Sequence, residues 1–179
     1  MTLQQLQSSI AYLFPSAAPN VSYTTVVDST GNATIALWNN ALGAQPTTAQ
    51  LTSALATVEL APSKAAQITT LDSSYQTARY NTPVTITSTT KASWVFPTDA
   101  STQTSIMGYL AAFDASDWPS AGLPLQDSSG TVQTTQYADV KAIAQAIANQ
   151  SVAVWQKLQT LIAQVNAATT VAAVQAIVW

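Results

Sequence analysis

Apolar residues recur along this chain in two alternating rhythms. At the front, Leu3, Leu6, Ile10 and Leu13 fall three or four positions apart, which lines them along one face and predicts a short amphipathic helix. Pro15 follows and pushes the residue before it out of the helical region, so the helix ends there. In "YTTVVDSTGNATIALWN" the rhythm changes to alternation. Tyr23, Thr25 and Val27 share a face, and Ile35 and Leu37 resume beyond an Asp28-Ser-Thr-Gly31-Asn turn. A β-hairpin is expected, with Gly31 or Asn32 taking any positive φ the turn needs.

The helical rhythm returns after Trp38. Thr47 and Gln50 carry the spacing of a capping box ahead of Leu51, Leu55 and Val58. Pro62 reads as a break or as the first turn of a new helix, whose stripe is Ile68, Leu71, Tyr75 and Ala78. The break near Ala61 sets the expected boundary: a helix–hairpin–helix module over residues 1–61 and an α+β domain over 62–179. Alternating Val84 and Ile86, then Trp94 and Phe96, predict a second hairpin with its tip near Ser88 to Lys91. Asp99 or Ser101 stands where it would cap a helix carrying Ile106, Tyr109, Leu110 and Phe113 on one face. "GLPLQDSSGTVQ" then predicts a third hairpin, turning at Asp127-Ser-Ser-Gly130.

The most regular segment is the last. Val140, Ile143, Ile147, Ser151, Val154, Leu158, Leu161 and Val165 recur every three or four residues, predicting a helix over about 136–165 with a coiled-coil-like seam that one serine interrupts. Thr134 or Thr135 is the expected cap. Val152, Trp155 and Ile162 add an adjacent stripe, so the apolar arc is wider than a two-stranded seam requires. Asn166 ends this helix, and Thr169 or Thr170 caps a short one over about 170–178 with Val171, Val174, Ile177 and Val178 on its face. Three hairpins separated by helices make an α+β pattern, helix-rich, with short β-hairpins packed on a long C-terminal helix. Such stripes mostly build the domain's own core. Any that remain outside can meet a partner or another copy of the chain, which makes Val154, Leu158 and Leu161 on the long helix, and Leu6 and Ile10 on the first, the candidate docking residues.

Composition narrows the chemistry. Charged residues are 7% of the chain, the net charge is −3, and there is neither histidine nor cysteine. An average soluble domain is about 25% charged, so the polar surface here rests on Thr, Ser, Gln and Asn. Without histidine, the Ser-His-Asp and Cys-His triads and histidine metal sites are excluded; without cysteine, disulfides and thiolate sites are too. The five cations, Lys64, Arg79, Lys91, Lys141 and Lys157, are scattered and form no stripe to neutralise a row of phosphates, so no nucleic-acid partner is expected. No run approaches the roughly 20 apolar residues of a bilayer span. "MTLQQLQSSIAYLFP" lacks the basic start and continuous apolar stretch of a secretory signal, so neither membrane insertion nor secretion by a signal peptide is expected.

Catalytic candidates are few. A glycosidase needs two carboxylates across a cleft, and Asp114 with Asp117, beside Trp118, is the only suggestive pair. Acids that close in sequence more often cap a helix end or fill a turn. There is no P-loop, GxGxxG or GxSxG motif, and the two acidic turns lack the alternating ligands of a calcium loop. No enzyme activity, metal or cofactor is expected. Trp38, Trp94 and Trp118, all near turns, are candidates for stacking on a sugar, although tryptophans beneath hairpins more commonly fill the core.

Two stretches also look familiar. From about Ala78 onward come "YQTARY", a hairpin, "SIMGYLAAF", "LQDSSGTVQTT", the Ala-rich "YADVKAIAQAIANQSVAVWQKLQTLIAQVNAA" and the closing "ATTVAAVQAIVW". This series resembles a C-terminal domain of unknown function found in bacteriophage tail and tail-fibre-region proteins. The front, "YTTVVDSTGNATIALWN" followed by "GAQPTTAQLTSAL", is similar to the small N-terminal module of phage tail assembly and fibre accessory proteins, with "TTAQ" where acidic residues commonly follow the proline. The resemblance implies a non-enzymatic tail component that binds the fibre or baseplate, as a structural accessory or an assembly chaperone, located in the virion tail or in the host cytoplasm during assembly. The alternative function is a receptor- or carbohydrate-binding module at a fibre tip.

Overall fold

The computed structural model describes residues 1–87 and 93–179; the expected hairpin tip at Ser88 to Lys91 lies outside them. Among the described residues, hairpins separate the first four of five α-helices, and the fifth follows the fourth directly, an α+β arrangement as expected. Each hairpin is an antiparallel two-stranded sheet of its own among the described residues. The chain divides into two compact units, Met1–Ile68 with Gln164–Ile177, and Thr69–Ala163 with Val178–Trp179.

In the first unit, α1 (Leu3–Leu13) starts at Thr2, whose hydroxyl accepts from the Gln5 amide while the Gln5 side chain reaches back. Its buried face, Leu6 and Ile10, packs with Tyr23, Ala33 and Leu51. Burial raises the Tyr23 hydroxyl pKa above its ordinary value. β1 (Tyr23–Val27) pairs with β2 (Ala33–Trp38), with a bulge between Thr24 and Thr25. The capping box that opens α2 (Thr48–Asn81) is as expected, with the Thr47 hydroxyl accepting from the Gln50 amide at 3.3 Å and the Gln50 side chain accepting from the Thr47 amide at 2.8 Å.

Pro62 does not break the helix; α2 runs through it without interruption. A proline in a helix interior removes the bond to the carbonyl four residues earlier, here Val58, and disfavours the helix by about 3 kcal/mol. Contacts on either side outweigh that. Glu59 accepts from the Gln5 side chain at 2.9 Å, Lys64 donates to the Asn166 carbonyl at 2.7 Å, and Gln67 donates to the Ile177 carbonyl. Pro62 itself is exposed and displaces nothing.

The second unit has its own core. β3 (Val84–Ile86) and β4 (Trp94–Phe96) set Val84 opposite Phe96 and Ile86 opposite Trp94, so that one face of the hairpin is wholly apolar. It packs with Ile106 of α3 (Ala100–Ala112), Leu125 of β5 (Leu123–Gln126), and Val140, Ile143 and Ile147 of α4 (Tyr137–Ala167). Asp99 caps α3, accepting from the Thr102 amide at 2.9 Å and the Thr102 hydroxyl at 2.9 Å; these bonds, the amide's foremost, lower its pKa. The expected threonine cap of α4 is replaced. Thr135 ends β6 (Val132–Thr135) and spends its hydroxyl on the Leu123 carbonyl, whereas the buried Asp139 reaches back to the Gln136 amide at 2.9 Å.

The loops of the first and third hairpins are built alike. Asp28 accepts on Oδ1 from the Thr30 amide and hydroxyl and from the Asn32 amide, at 2.8, 2.6 and 2.9 Å. Asp127 accepts on Oδ1 from the Ser129 amide and hydroxyl and from the Thr131 amide, at 2.9, 2.6 and 3.0 Å. Gly31 and Gly130 take φ of 85° and 82° at matching places, a conformation in which only a residue without a Cβ is unstrained. Charge on the carboxylate strengthens all these bonds. The Ser129 hydroxyl and the Gln133 amide lead in pulling the Asp127 pKa down to about 2, and the Thr30 hydroxyl leads in lowering that of Asp28.

At the end of the chain, Thr170 caps α5 (Val171–Gln175) by accepting from the Ala173 amide, so the last helix is shorter than its apolar pattern predicts. Val174 is fully buried in the first unit. Trp179 belongs to the second, where the Lys157 ammonium lies 4.7 Å from its ring centroid. Among the described residues no helix is long and apolar enough to cross a membrane.

Candidate protein-docking site

Along α4 the apolar arc splits into a buried seam and an outer stripe. Val140, Ile143, Ile147, Leu158 and Val165 are buried. Val152 and Trp155, one turn apart on the adjacent stripe, are 55% and 52% exposed. Ser151, the residue that interrupts the seam, borders two open depressions of the second unit. One, of about 190 Å³, is lined by Gln103, Ile106 and Met107 of α3 with Ala144, Ile147, Ala148 and Ser151 of α4. Its rim carries Met107, 64% exposed. The other, of about 380 Å³, is lined by Tyr75 and Arg79 of α2 with Ser151, Val152, Trp155 and Gln156. The two share Ser151 on their linings, and the second carries one positive charge, that of Arg79. Protein-binding sites gain most from exposed aromatic and arginine anchors ringed by polar residues, and flexible methionines adapt to varied partners.

Arg79 is held from two sides. Its Nη1 donates to the Tyr75 hydroxyl at 3.2 Å, and its guanidinium carbon lies 5.1 Å from the Tyr80 ring centroid. Its Nε is buried without a hydrogen-bond partner. Nearby, Gln150 ties α4 to the end of α2 by donating to the Ala78 and Thr82 carbonyls at 3.1 and 2.8 Å.

The residues expected to dock are mostly elsewhere. Leu6 and Ile10 sit in the core of the first unit, and Leu158 is only 5% exposed. A partner reaches none of them without opening the fold, so these three are corrected to core positions. Val154 and Leu161 are half-buried flanks of the same seam. The outward stripe is the adjacent one of Val152 and Trp155, visible in the sequence as surplus apolar arc. Tyr75, Arg79 and Met107 come from other helices, and no spacing in the sequence connects them to it.

The tryptophans proposed to stack on sugars are engaged in packing. Trp94 is buried edge-to-face against Phe96. Trp118 donates to the Thr135 carbonyl at 3.2 Å and meets Tyr109, Phe113 and Tyr137 edge-on. Trp38 donates to the Gly43 carbonyl at 2.9 Å and packs against Phe14 at 4.9 Å, while bordering an open depression with Asn20, Leu37 and Asn39. Asp114 and Asp117 close their own turn. Asp117 accepts from the Asp114 amide at 2.6 Å, and Asp114 accepts from the Ser116 amide and hydroxyl, each at 2.6 Å. The Ser116 hydroxyl leads in lowering the Asp114 pKa, the opposite of what a general acid needs. Among the described residues no cluster of three acidic side chains is placed to hold a metal ion.

Two family models match the chain. Residues 6–63 match the XkdW protein, and residues 59–178 match a domain of unknown function, DUF4376. The matches meet around Pro62, inside α2. No curated protein and no solved structure matches. With an N-terminal segment similar to the XkdW protein and more than half of its length within the second model, the chain belongs to the DUF4376 family and is a bacteriophage protein.

Proposed function

We propose that this phage protein is a non-enzymatic accessory of the tail, docking on a tail-fibre or baseplate protein as a structural component or as an assembly chaperone, in the virion tail or in the host cytoplasm during assembly. The observation that carries the reading is the exposure of Met107, Val152 and Trp155, which line two depressions that share Ser151, in residues that the DUF4376 match spans. An isolated chain gains nothing by leaving such side chains in water, whereas burying them against another protein is favourable by roughly 25 cal/mol per Å² of apolar surface. A surface with few charges gives little repulsion between neighbours, which suits a protein inside an assembly.

The test is capture of the neighbouring fibre and baseplate proteins on the purified chain, compared with Trp155→Glu, alongside quantitation in purified virions. Capture by the wild type and loss in the variant is the expected result. A fixed ratio in virions identifies a structural component, and presence only in infected lysates identifies a chaperone. Equal capture by both proteins, or none by either, overturns docking on this surface; binding on a glycan array that Trp38→Ala abolishes supports the sugar-binding alternative instead.

A further inference from the structure

We infer that the depression lined by Tyr75, Arg79, Val152 and Trp155 receives a partner segment that presents a carboxylate to Arg79 and an apolar side chain to Trp155 and Val152. This rests on the docking reading above and specifies the partner's chemistry.

The argument is one of charge and shape. None of the residues lining the depression is acidic, and no carboxylate among the described residues pairs with Arg79. The chain has only five Lys and Arg and a net charge of −3, so this guanidinium is a local positive point on a negative molecule. A guanidinium carries five N–H donors in a rigid fork that matches a carboxylate. Here Tyr75 takes one and Tyr80 stacks on the plane, which orients the fork without neutralising it. The position in the last turn of α2 stabilises the cation through the helix dipole but leaves its hydrogen-bonding capacity unspent, and Nε is buried unpaired. Beside it, Val152 and Trp155 offer an exposed apolar floor. Trp, Tyr and Arg together are the residue types that dominate binding energies at interfaces, and a carboxylate meeting Arg in bidentate fashion fixes the partner's register. An isologous contact with its two-fold axis at this patch would set Arg79 against its own symmetry mate, like charge on like.

The probe is a synthetic peptide, Ac-Leu-Asp-Leu-Glu-Phe-Asp-amide, titrated into the full chain and compared with its Asn/Gln isostere. The readout is the Trp155 indole N–H signal, assigned with Trp155→Phe. The acidic peptide is expected to shift that signal at least fivefold more effectively than the isostere and several-fold less effectively at 300 mM than at 50 mM salt. Arg79→Gln abolishes the shift and Arg79→Lys keeps part of it, with circular dichroism verifying that both variants are folded. If both variants fail to fold, the comparison of peptide with isostere on the wild type decides alone. Equal response to the isostere, no response to the acidic peptide, or an unchanged response in folded Arg79→Gln overturns the inference. The two readings fail differently: capture of fibre or baseplate protein lost in Trp155→Glu but untouched by Arg79→Gln retains docking and sinks the acidic partner.

Discussion

Gly122 faces Thr134 across the third hairpin so closely that a β-carbon on it would lie 2.5 Å from the Thr134 methyl carbon and 2.9 Å from the Thr135 carbonyl oxygen. Its φ is +75° as well. Gly130 has a similar φ, but the nearest atom to its β-carbon would be the Gln126 amide nitrogen at 3.6 Å. Alanine at Gly130 should therefore cost about 1–2 kcal/mol, for the backbone alone. Alanine at Gly122 should add roughly 1–3 kcal/mol of overpacking. Urea unfolding of the two variants, side by side, separates the contributions; equal losses would mean that the Thr134 contact yields easily.

Leu6 and Trp155 make the opposite pair, one buried among Tyr23, Ala33 and Leu51 and the other half in water. Leu6→Ala should lower stability by about 2–5 kcal/mol through lost burial and the cavity left behind. Trp155→Ala should stay within about 0.5 kcal/mol, the usual range for a surface change, while weakening partner capture. Thermal unfolding monitored by circular dichroism checks both.

Replacing Pro62 by alanine restores a backbone donor opposite the Val58 carbonyl in a helix that is already continuous. The helix gains up to about 3 kcal/mol of propensity, offset by about 0.4–1 kcal/mol because the unfolded chain regains freedom. A net rise in stability of about 1–2 kcal/mol should appear as a higher melting temperature. A fall would show that the proline shapes a bend on which the packing of α2 depends.

The Asp127 carboxyl titrates at about 2 in the fold, against an ordinary value of about 3.9. A carboxyl with a lowered folded pKa stabilises above the unfolded pKa, and the contribution disappears as the pH falls through the folded one. Stability should be level down to about pH 5 and decline from about pH 4 toward pH 2. Asp28, Asp99 and Asp114, whose pKa values are also lowered, act in the same direction. Asp127→Asn should make that decline shallower, and carboxyl-carbon NMR should find the Asp127 midpoint near 2. A midpoint near the ordinary value would mean that the Ser129 and Gln133 bonds do not hold in solution.

Features whose physics is complete within a few residues were legible in the sequence. The Thr47–Gln50 cap, the Asp28 and Asp127 turns with their glycines, and the alternation of Val84, Ile86, Trp94 and Phe96 each depend on bonds or side-chain directions set by residues at most about five positions apart. The three hairpins and the α+β class followed from them, whereas the division of α2 at Pro62 did not hold. Tertiary structure alone decided what required distant partners. Pro62 stays helical because Gln5, Asn166 and Ile177 hold the turns beside it, contacts that outweigh a local preference. It also decided which of two apolar stripes on α4 is buried, since periodicity names faces but not what covers them. Arg79 of α2 lines one depression with Trp155 of α4, and Met107 of α3 lines another with Ile147 and Ser151, only because these helices meet within the second unit; chain separation hides those adjacencies, and burial, being a property of the assembled surfaces, appears only when they meet.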